Sequence, residues 1–492
     1  MSLLELQFDV LPARSYSVHQ EYATCSYKRT PNSNFLRGVK WSPDGACLLT
    51  ASDDNCLRVY DTPLEAFTQA GYGQEPGIDS AAAAADGASA ADRQPAGQRV
   101  PAQIPAAQQQ QHQQQQADSF PPALRIQEGE QLYDYCWFPG MSAADPASCC
   151  LVTTGRAHPV HLWDALTGEL RCTYRAYNDK DEVAAAHSLA FSADGGTLYC
   201  GFNKQIRSFR VERPGRDCAR VMTYQKGQEG LSGIVSCMAL NPDRSGMLAA
   251  GSYSGAGLLL DTRSREALCL LEGGHGGGLT HLCFSADGNF LYTGARKDPS
   301  ILCWDVRYGS GVIYSIPRQS GGTNQRMYFD VEPCGRHLAT GGEDGVVRVF
   351  DLCDGSPAGQ FAAAADTVNG VSFHPFLPLL ATASGQRRYY LAASDSGSDS
   401  LESDTDSAAC TSASDSSGAS PRRPELSDSE NVLCVWKCSA RPAQPAAEVL
   451  EDLEDELVAA ADSAATADQA ADDNSGQDAA ALTDEAMEEQ CE

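Results

Sequence analysis

The amino-acid sequence predicts an all-β protein, a single ring of seven four-stranded blades, and three observations carry that expectation. A short apolar strand runs into a turn resembling Ser/Asn-Pro/Ala-Asp-Gly at seven places. Each turn is followed by an alternating strand ending in an aromatic or large apolar residue, often with Asp next. The residues before six of the turns, Trp137, Phe191, Leu240, Phe284, Val331 and Phe373, are spaced 54, 49, 44, 47 and 42 apart. Those intervals bracket the roughly 40–45 residues of a WD repeat, whose four strands form one propeller blade.

The first copy joins KWSPDG (40–45) to LRVYD (57–61), and the second passes from a degenerate turn, YCWFPG (135–140), to HLWD (161–164). AFSADG (190–195) precedes IRSFR (206–210), ALNPDR (239–244) precedes GLLLD (257–261), and CFSADG (283–288) precedes LCWD (302–305). The last two copies pair DVEPCG (330–335) with VRVFD (347–351) and VSFHP (371–375) with LCVWK (433–437). Along VVRVFD, Val347 and Val349 point one way while Arg348 and Phe350 point the other. Apolar residues in both sets suit a blade packed on both faces, with Asp54, Asp298, Asp344 and Gly345 at tight turns. Copy seven lacks an outer strand after LCVWK, whereas residues 14–30 precede copy one without belonging to it. The N-terminal strand is therefore expected to complete blade seven and close the ring, giving a seven-bladed WD-repeat β-propeller over 1–440.

Three biased segments stand outside this pattern. Residues 62–125 are rich in Ala, Gln, Gly and Pro and read as a disordered insertion, as does the acidic, Ser-rich stretch 391–430. Residues 441–492 read as an acidic disordered tail, in which Leu450, Leu453 and Leu457 recur at helical spacing. Of the formal charge of −29, these segments hold −3, −7 and −15, so the ring itself is nearly neutral and a nucleic-acid partner stays open. No run of 18 apolar residues appears, and the start MSLLELQFDV lacks a basic leader, so neither a membrane span nor a secretory signal is expected. Nineteen cysteines without a C-x-x-C pair read as buried thiols in a reducing cytosolic or nuclear compartment, with no metal site.

No phosphate-binding loop, H-E-x-x-H or paired Cys-His constellation is present, and His187, His281, His337 and His374 are isolated in strand-like surroundings. The string HGGG in GGHGGGLTH (273–281) occurs in esterase oxyanion holes, but GSYSG (251–255) puts Tyr253 where a nucleophilic serine must stand. The structural reading is preferred: His275 bonds Asp298 in a tight turn that leads out to Trp304. Enzymatic activity, a cofactor and a small-molecule substrate are accordingly not expected. Ser396, Ser403 and Ser427 each have an acidic residue three positions on and are candidate phosphorylation sites for an acidophilic kinase. The segment from Lys204 to Arg220 is rich in arginine, which suits either a solvated face or contacts to phosphates and unpaired bases.

Particular strings go beyond the generic repeat. NFLRGVKWSPDGACLLTASDDNCLRVYD (34–61), YDYCWF (133–138), RAYN (175–178), RPGRDC (213–218), GARKD (294–298), TNQRMYFD (323–330) and NGVSFHPFLPLLATASGQR (369–387) closely resemble the telomerase Cajal body protein family. The resemblance covers nearly the whole propeller. It implies a non-enzymatic RNA-binding protein of the nucleus and Cajal body. Such a protein recognises the localisation box in a terminal loop of box H/ACA small Cajal-body RNAs, and of telomerase RNA where it carries that box. Delivery of these ribonucleoproteins, with their H/ACA core proteins, to Cajal bodies and support of telomerase assembly and telomere maintenance follow from the same resemblance. The long N-terminal extension of some family members is expected to be absent. The residues expected to contact RNA are Arg213, Arg216, Arg296, Lys297, Asn324, Arg326 and Arg387, with Phe202 as a stacking partner. The alternative is a WD-repeat scaffold that binds proteins without direct RNA contact.

Overall fold

The recurring turn has a local cause. At its first occurrence the Asp44 carboxylate accepts from Ser42 Oγ (2.6 Å) and Ala46 N (3.1 Å), while Gly45 N donates to Ser42 O (2.9 Å). Gly45 sits at φ +70°, and a Cβ there would run into the His374 ring, so only glycine serves. The same Ser–Asp bond and left-handed glycine recur at Ser192, Asp194 and Gly195 and at Ser285, Asp287 and Gly288.

In the computed structural model these turns join strands into seven four-stranded antiparallel sheets. The structure describes residues 4–23, 34–63, 120–309, 311–387 and 430–442. The chain divides into two units, Leu3–Arg441 and Met1–Ser2 with Pro442–Glu492, and apart from Pro442 the described residues belong to the first. Blades 1 to 6 begin on their inner strands Leu36–Trp41, Leu132–Trp137, Ser188–Phe191, Val235–Leu240, Leu279–Phe284 and Phe329–Val331. Blade 7 holds Val368–Phe373, Leu379–Ser384 and Leu433–Lys437, and its outer strand is Ala13–Val18, paired antiparallel from Ala13↔Lys437 to Val18↔Leu433. The ring is closed by the N-terminal strand. A further ribbon, Leu4–Gln7 against Ser439–Pro442, is fastened by Glu5 to Arg441 (2.8 Å) and Arg336 (3.2 Å).

Each of the seven junctions carries an inner-strand hydrogen bond and a buried apolar cluster. Trp137 Nε1 donates to Lys40 O, Leu189 N to Asp134 Oδ2, Ser188 Oγ to Val235 O, and Ser236 Oγ to Leu279 O. His281 Nε2 donates to Phe329 O, Phe373 N to Asp330 Oδ2, and Trp41 Nε1 to Ser372 O. The clusters between neighbouring blades, such as Leu282, Leu291 and Trp304 of blade 5 with Ala249 and Leu259 of blade 4, supply most of the driving force. Within blades 2, 5 and 7 a tryptophan indole donates to a buried threonine at 2.9 Å: Trp163 to Thr153, Trp304 to Thr293, Trp436 to Thr382.

Two boundaries expected from composition differ. The insertion drawn to residue 125 ends earlier, because Phe120 stacks on Tyr16 (5.5 Å) and Tyr60 (5.3 Å) and Leu124–Gln127 is the outer strand of blade 1. The tail drawn from 441 begins in a strand, since Arg441 is tied to Glu5. The low-complexity composition hid these few ordered residues. Most of 62–125 and 391–430, with Ser396, Ser403 and Ser427, and all but the first two residues of 441–492, including Leu450, Leu453 and Leu457, lie outside the described residues. The described cysteines are free thiols, and burial pushes Cys47, Cys237 and Cys434 up to about 12.

Candidate functional site

Inner strands of blades 1, 2 and 7, loops entering blades 1, 2 and 6, and loops joining the middle strands of blades 4, 5 and 7 line a cavity of about 510 Å³ in the middle of the ring. Four arginines reach it, Arg37, Arg296, Arg326 and Arg387, with four tyrosines, Tyr133, Tyr135, Tyr253 and Tyr328, and the ring of Phe35. Side-chain amides of Gln131, Asn324, Gln325, Asn369 and Gln386 complete the polar lining.

Arg326 forms the floor. It donates to Tyr133 O of blade 2 (3.2 Å), Ser236 O of blade 4 (3.2 Å) and the Tyr253 hydroxyl (2.7 Å), so one guanidinium ties together three parts of the ring. Burial opposes its charge, but Tyr328, Tyr253 and Asp134 around it outweigh that and hold its pKa above the usual arginine value. The neighbouring His187, stacked on Tyr133 at 5.0 Å, has its pKa lowered by burial and then by the charge of Arg326.

The wall is built on Asp53, which is only 1% exposed and accepts from both Arg37 and Arg387. Both guanidiniums lie over the Phe35 ring, at 5.7 and 6.0 Å. On the far side, Arg296 lies 4.9 Å over the Tyr253 ring. The loop carrying Asn324 is held by Glu343, which accepts from Gly322 N (2.9 Å) and Thr323 N (3.1 Å).

Of the residues singled out in the sequence, Arg296, Asn324, Arg326 and Arg387 therefore converge on one cavity. Lys297 is exposed at φ +52° in the turn beside Arg296, outside the lining. Arg213 lines a second cavity of about 560 Å³ between blades 3 and 4, with Arg210 and Arg265. Arg216 lies 4.6 Å over the Tyr177 ring and pairs with Asp181 (3.1 Å). The RPGRDC string covers the edge of blade 2, with Gly215 N donating to Thr173 O and Arg175 N donating to Gly215 O. Phe202 is a correction: it is buried in the junction between blades 2 and 3 with the Arg207 guanidinium 4.9 Å over its ring, which leaves no face for a base. Sequence reasoning missed Arg37, Phe35, Tyr133, Tyr253 and Tyr328. Their signal was position: they stand in inner strands or in the loops that enter them or join a blade's middle strands, as Arg296 and Arg387 do.

His275 lies away from this cavity. Its Nδ1 is 2.9 Å from Asp298 Oδ2 and its Nε2 is 2.7 Å from Thr293 Oγ1, which also accepts from Trp304. The Tyr253 hydroxyl, where an esterase would need its serine, accepts from Arg326. No group of three or more His, Cys, Asp or Glu arranged to hold a metal ion occurs among the described residues.

A closed ring of WD-type blades around a cavity of arginines, tyrosines and amides defines a WD-repeat scaffold, a non-enzymatic fold that presents a recognition surface. The family model for the WD domain, G-beta repeat, matches residues 23–61, 268–305 and 327–351. Telomerase Cajal body protein 1 of Rattus norvegicus is 41% identical over 390 residues, covering 77% of this chain and 65% of the relative. The Homo sapiens protein of that name is 43% identical over 366 residues, covering 73% and 58%. The Drosophila melanogaster homolog is 31% identical over 367 residues, covering 74% and 59%. The chain thus spans slightly under two thirds of these relatives' length. Over its propeller the chain is similar to the telomerase Cajal body proteins, and its repeats match the WD-domain model.

Proposed function

We propose that the ring holds an unpaired RNA loop over its central cavity and that its cognate RNAs are the box H/ACA small Cajal-body RNAs, with telomerase RNA where it carries the same box. The observation that carries this reading is the convergence of Arg37, Arg296, Arg326 and Arg387 with four tyrosines in one cavity. Guanidiniums suit phosphates, aromatic rings suit unstacked bases, and a terminal loop offers both. The names of the relatives favour small Cajal-body and telomerase ribonucleoproteins over other RNAs. In this reading the protein acts in the nucleus, brings these particles and their H/ACA core proteins to Cajal bodies, and supports telomerase assembly and telomere maintenance.

Crosslinking and sequencing of RNAs bound to the protein in its own cells tests this, beside a variant carrying Arg296→Glu and Arg387→Glu whose melting temperature is checked first. Enrichment of box H/ACA RNAs that is lost in the folded variant supports the reading. Absence of enrichment in the unaltered protein rejects it in favour of a protein-binding scaffold.

A further inference from the structure

Five buried side-chain atoms of the cavity lining have no hydrogen-bond partner: Arg37 Nε, Arg296 Nε, the Tyr135 hydroxyl, Gln325 Oε1 and Asn369 Oδ1. A buried polar group left unsatisfied is costly, and native proteins keep such groups few. The orientation of the two amides is fixed by their nitrogens. Asn369 Nδ2 donates to Leu36 O (2.8 Å) and Gly385 O (2.5 Å), and Gln325 Nε2 donates to Gly385 O (3.3 Å). Their oxygens are the ends left over. Tyr135 and Asn369 are 3% and 1% exposed, so these groups are buried within the cavity lining.

This set limits the occupant. A bare phosphate or carboxylate only accepts, and would answer the arginine N–H groups while setting its oxygens against those of Asn369 and Gln325. A cation only donates, and would meet four arginines. The lining calls for a flat group carrying donors and acceptors together, with a negative charge attached that stays near the rim. A nucleotide has that chemistry, and the tyrosines and Phe35 offer faces for its base.

Resting on the RNA reading above, we infer that the cavity takes one everted nucleotide of the bound loop, base inward toward Asn369, Gln325 and Tyr135, phosphate outward at Arg296 and Arg387. A loop nucleotide is unpaired already, so turning it out costs less than opening a duplex. On this inference the protein reads a base in its pore and does not merely track a backbone over its surface.

The test uses the full chain and a stem-loop RNA library with six randomised loop positions. Selection is expected to fix one position to a single base. An abasic residue there should weaken binding about 100-fold, and abasic residues elsewhere less than about fivefold. 2-Aminopurine at the fixed position should change its emission on binding. Tyr135→Phe should relax the base preference while leaving the melting temperature and the salt dependence of binding as they are. Retained loops with no fixed position and no abasic sensitivity overturn the everted nucleotide and leave the RNA reading standing. If no RNA is retained, both fall. Free nucleoside monophosphates that bind as tightly as the selected loop overturn the assignment to RNA and give the cavity to a mononucleotide.

Discussion

Arg37 and Arg387 hang on one atom: both donate from Nη2 to Oδ1 of Asp53, each at 2.7 Å. Arg37 comes from the inner strand of blade 1 and Arg387 from the loop after Leu379–Ser384 in blade 7. The cationic wall of the cavity is thus assembled across the junction where the ring closes. Burial lowers the pKa of Arg37, and Asp53 opposes that loss.

Asp53→Asn should cost about 3 kcal/mol of stability, because Arg37 and Arg387 lose the charge of the buried carboxylate they share. The cavity becomes more positive and less ordered, so binding of unrelated RNA should tighten at low salt while preference for the cognate loop falls. Denaturant titration and fluorescence anisotropy at two salt concentrations measure both; an unchanged midpoint would show that Asp53 does not hold the wall.

Each cavity arginine that meets a phosphate should register in the salt dependence of binding. Arg296→Ala and Arg387→Ala should each lower the slope of log K against log salt by about 0.7, the value for a contact to single-stranded nucleic acid. Arg213→Ala, at the other cavity, should leave the slope unchanged. Equal effects of all three substitutions would place the RNA elsewhere on the ring.

His275→Ala should destabilise the fold by about 2–4 kcal/mol, since it strips Asp298 and the Thr293–Trp304 pair of a shared buried partner. At a temperature where the variant is folded, RNA affinity should match that of the unaltered protein. A variant that melts normally would contradict the structural role.

His374 gives the fold an acid sensitivity. Its Nε2 donates to Gly45 O (3.1 Å) and its Nδ1 accepts from Phe376 N (3.0 Å) and Leu377 N (2.9 Å), an arrangement only the neutral ring can make. Burial lowers its pKa to about 4, against the smaller opposing influence of Gly45 O and Asp44. The unfolded chain takes up this proton near pH 6.5 and the folded one only near 4, so stability falls as pH drops through that window and is then flat. The total is about 3 kcal/mol. Melting temperatures of the protein and His374→Gln, compared between pH 7 and 4.5, should converge on acidification; parallel curves would refute the assignment.

The blades were legible because a turn such as Ser42-Pro43-Asp44-Gly45 declares itself in four adjacent residues, and because in strands such as Val346–Asp351 buried Val347 and Val349 alternate with half-buried Val346 and Arg348. Even the displaced outer strand could be placed, since the missing partner of Leu433–Lys437 left residues 14–30 as the available candidate. The cavity was legible only in part. Arg296, Arg326 and Arg387 were visible as charges in loops between strands, whereas Arg37 and Tyr133 look like ordinary strand residues until the ring brings them together. Phe202 misled because an aromatic residue near arginines reads the same whether it stacks on a base or lies under Arg207. The segment 213–218 looked like a ligand loop and instead covers a sheet edge, which is decided by backbone bonds that composition does not reveal.

Closure of the ring by Ala13–Val18 has a consequence for synthesis. That strand leaves the ribosome roughly 400 residues ahead of its partner Leu433–Lys437. At roughly 5–20 residues per second, it waits on the order of tens of seconds with its edge bare. Until then Arg37 and Asp53 have no Arg387, and the two sides of the wall remain apart. A truncated nascent chain can build several blades but cannot build the wall, so a completed binding cavity certifies that translation has passed blade seven.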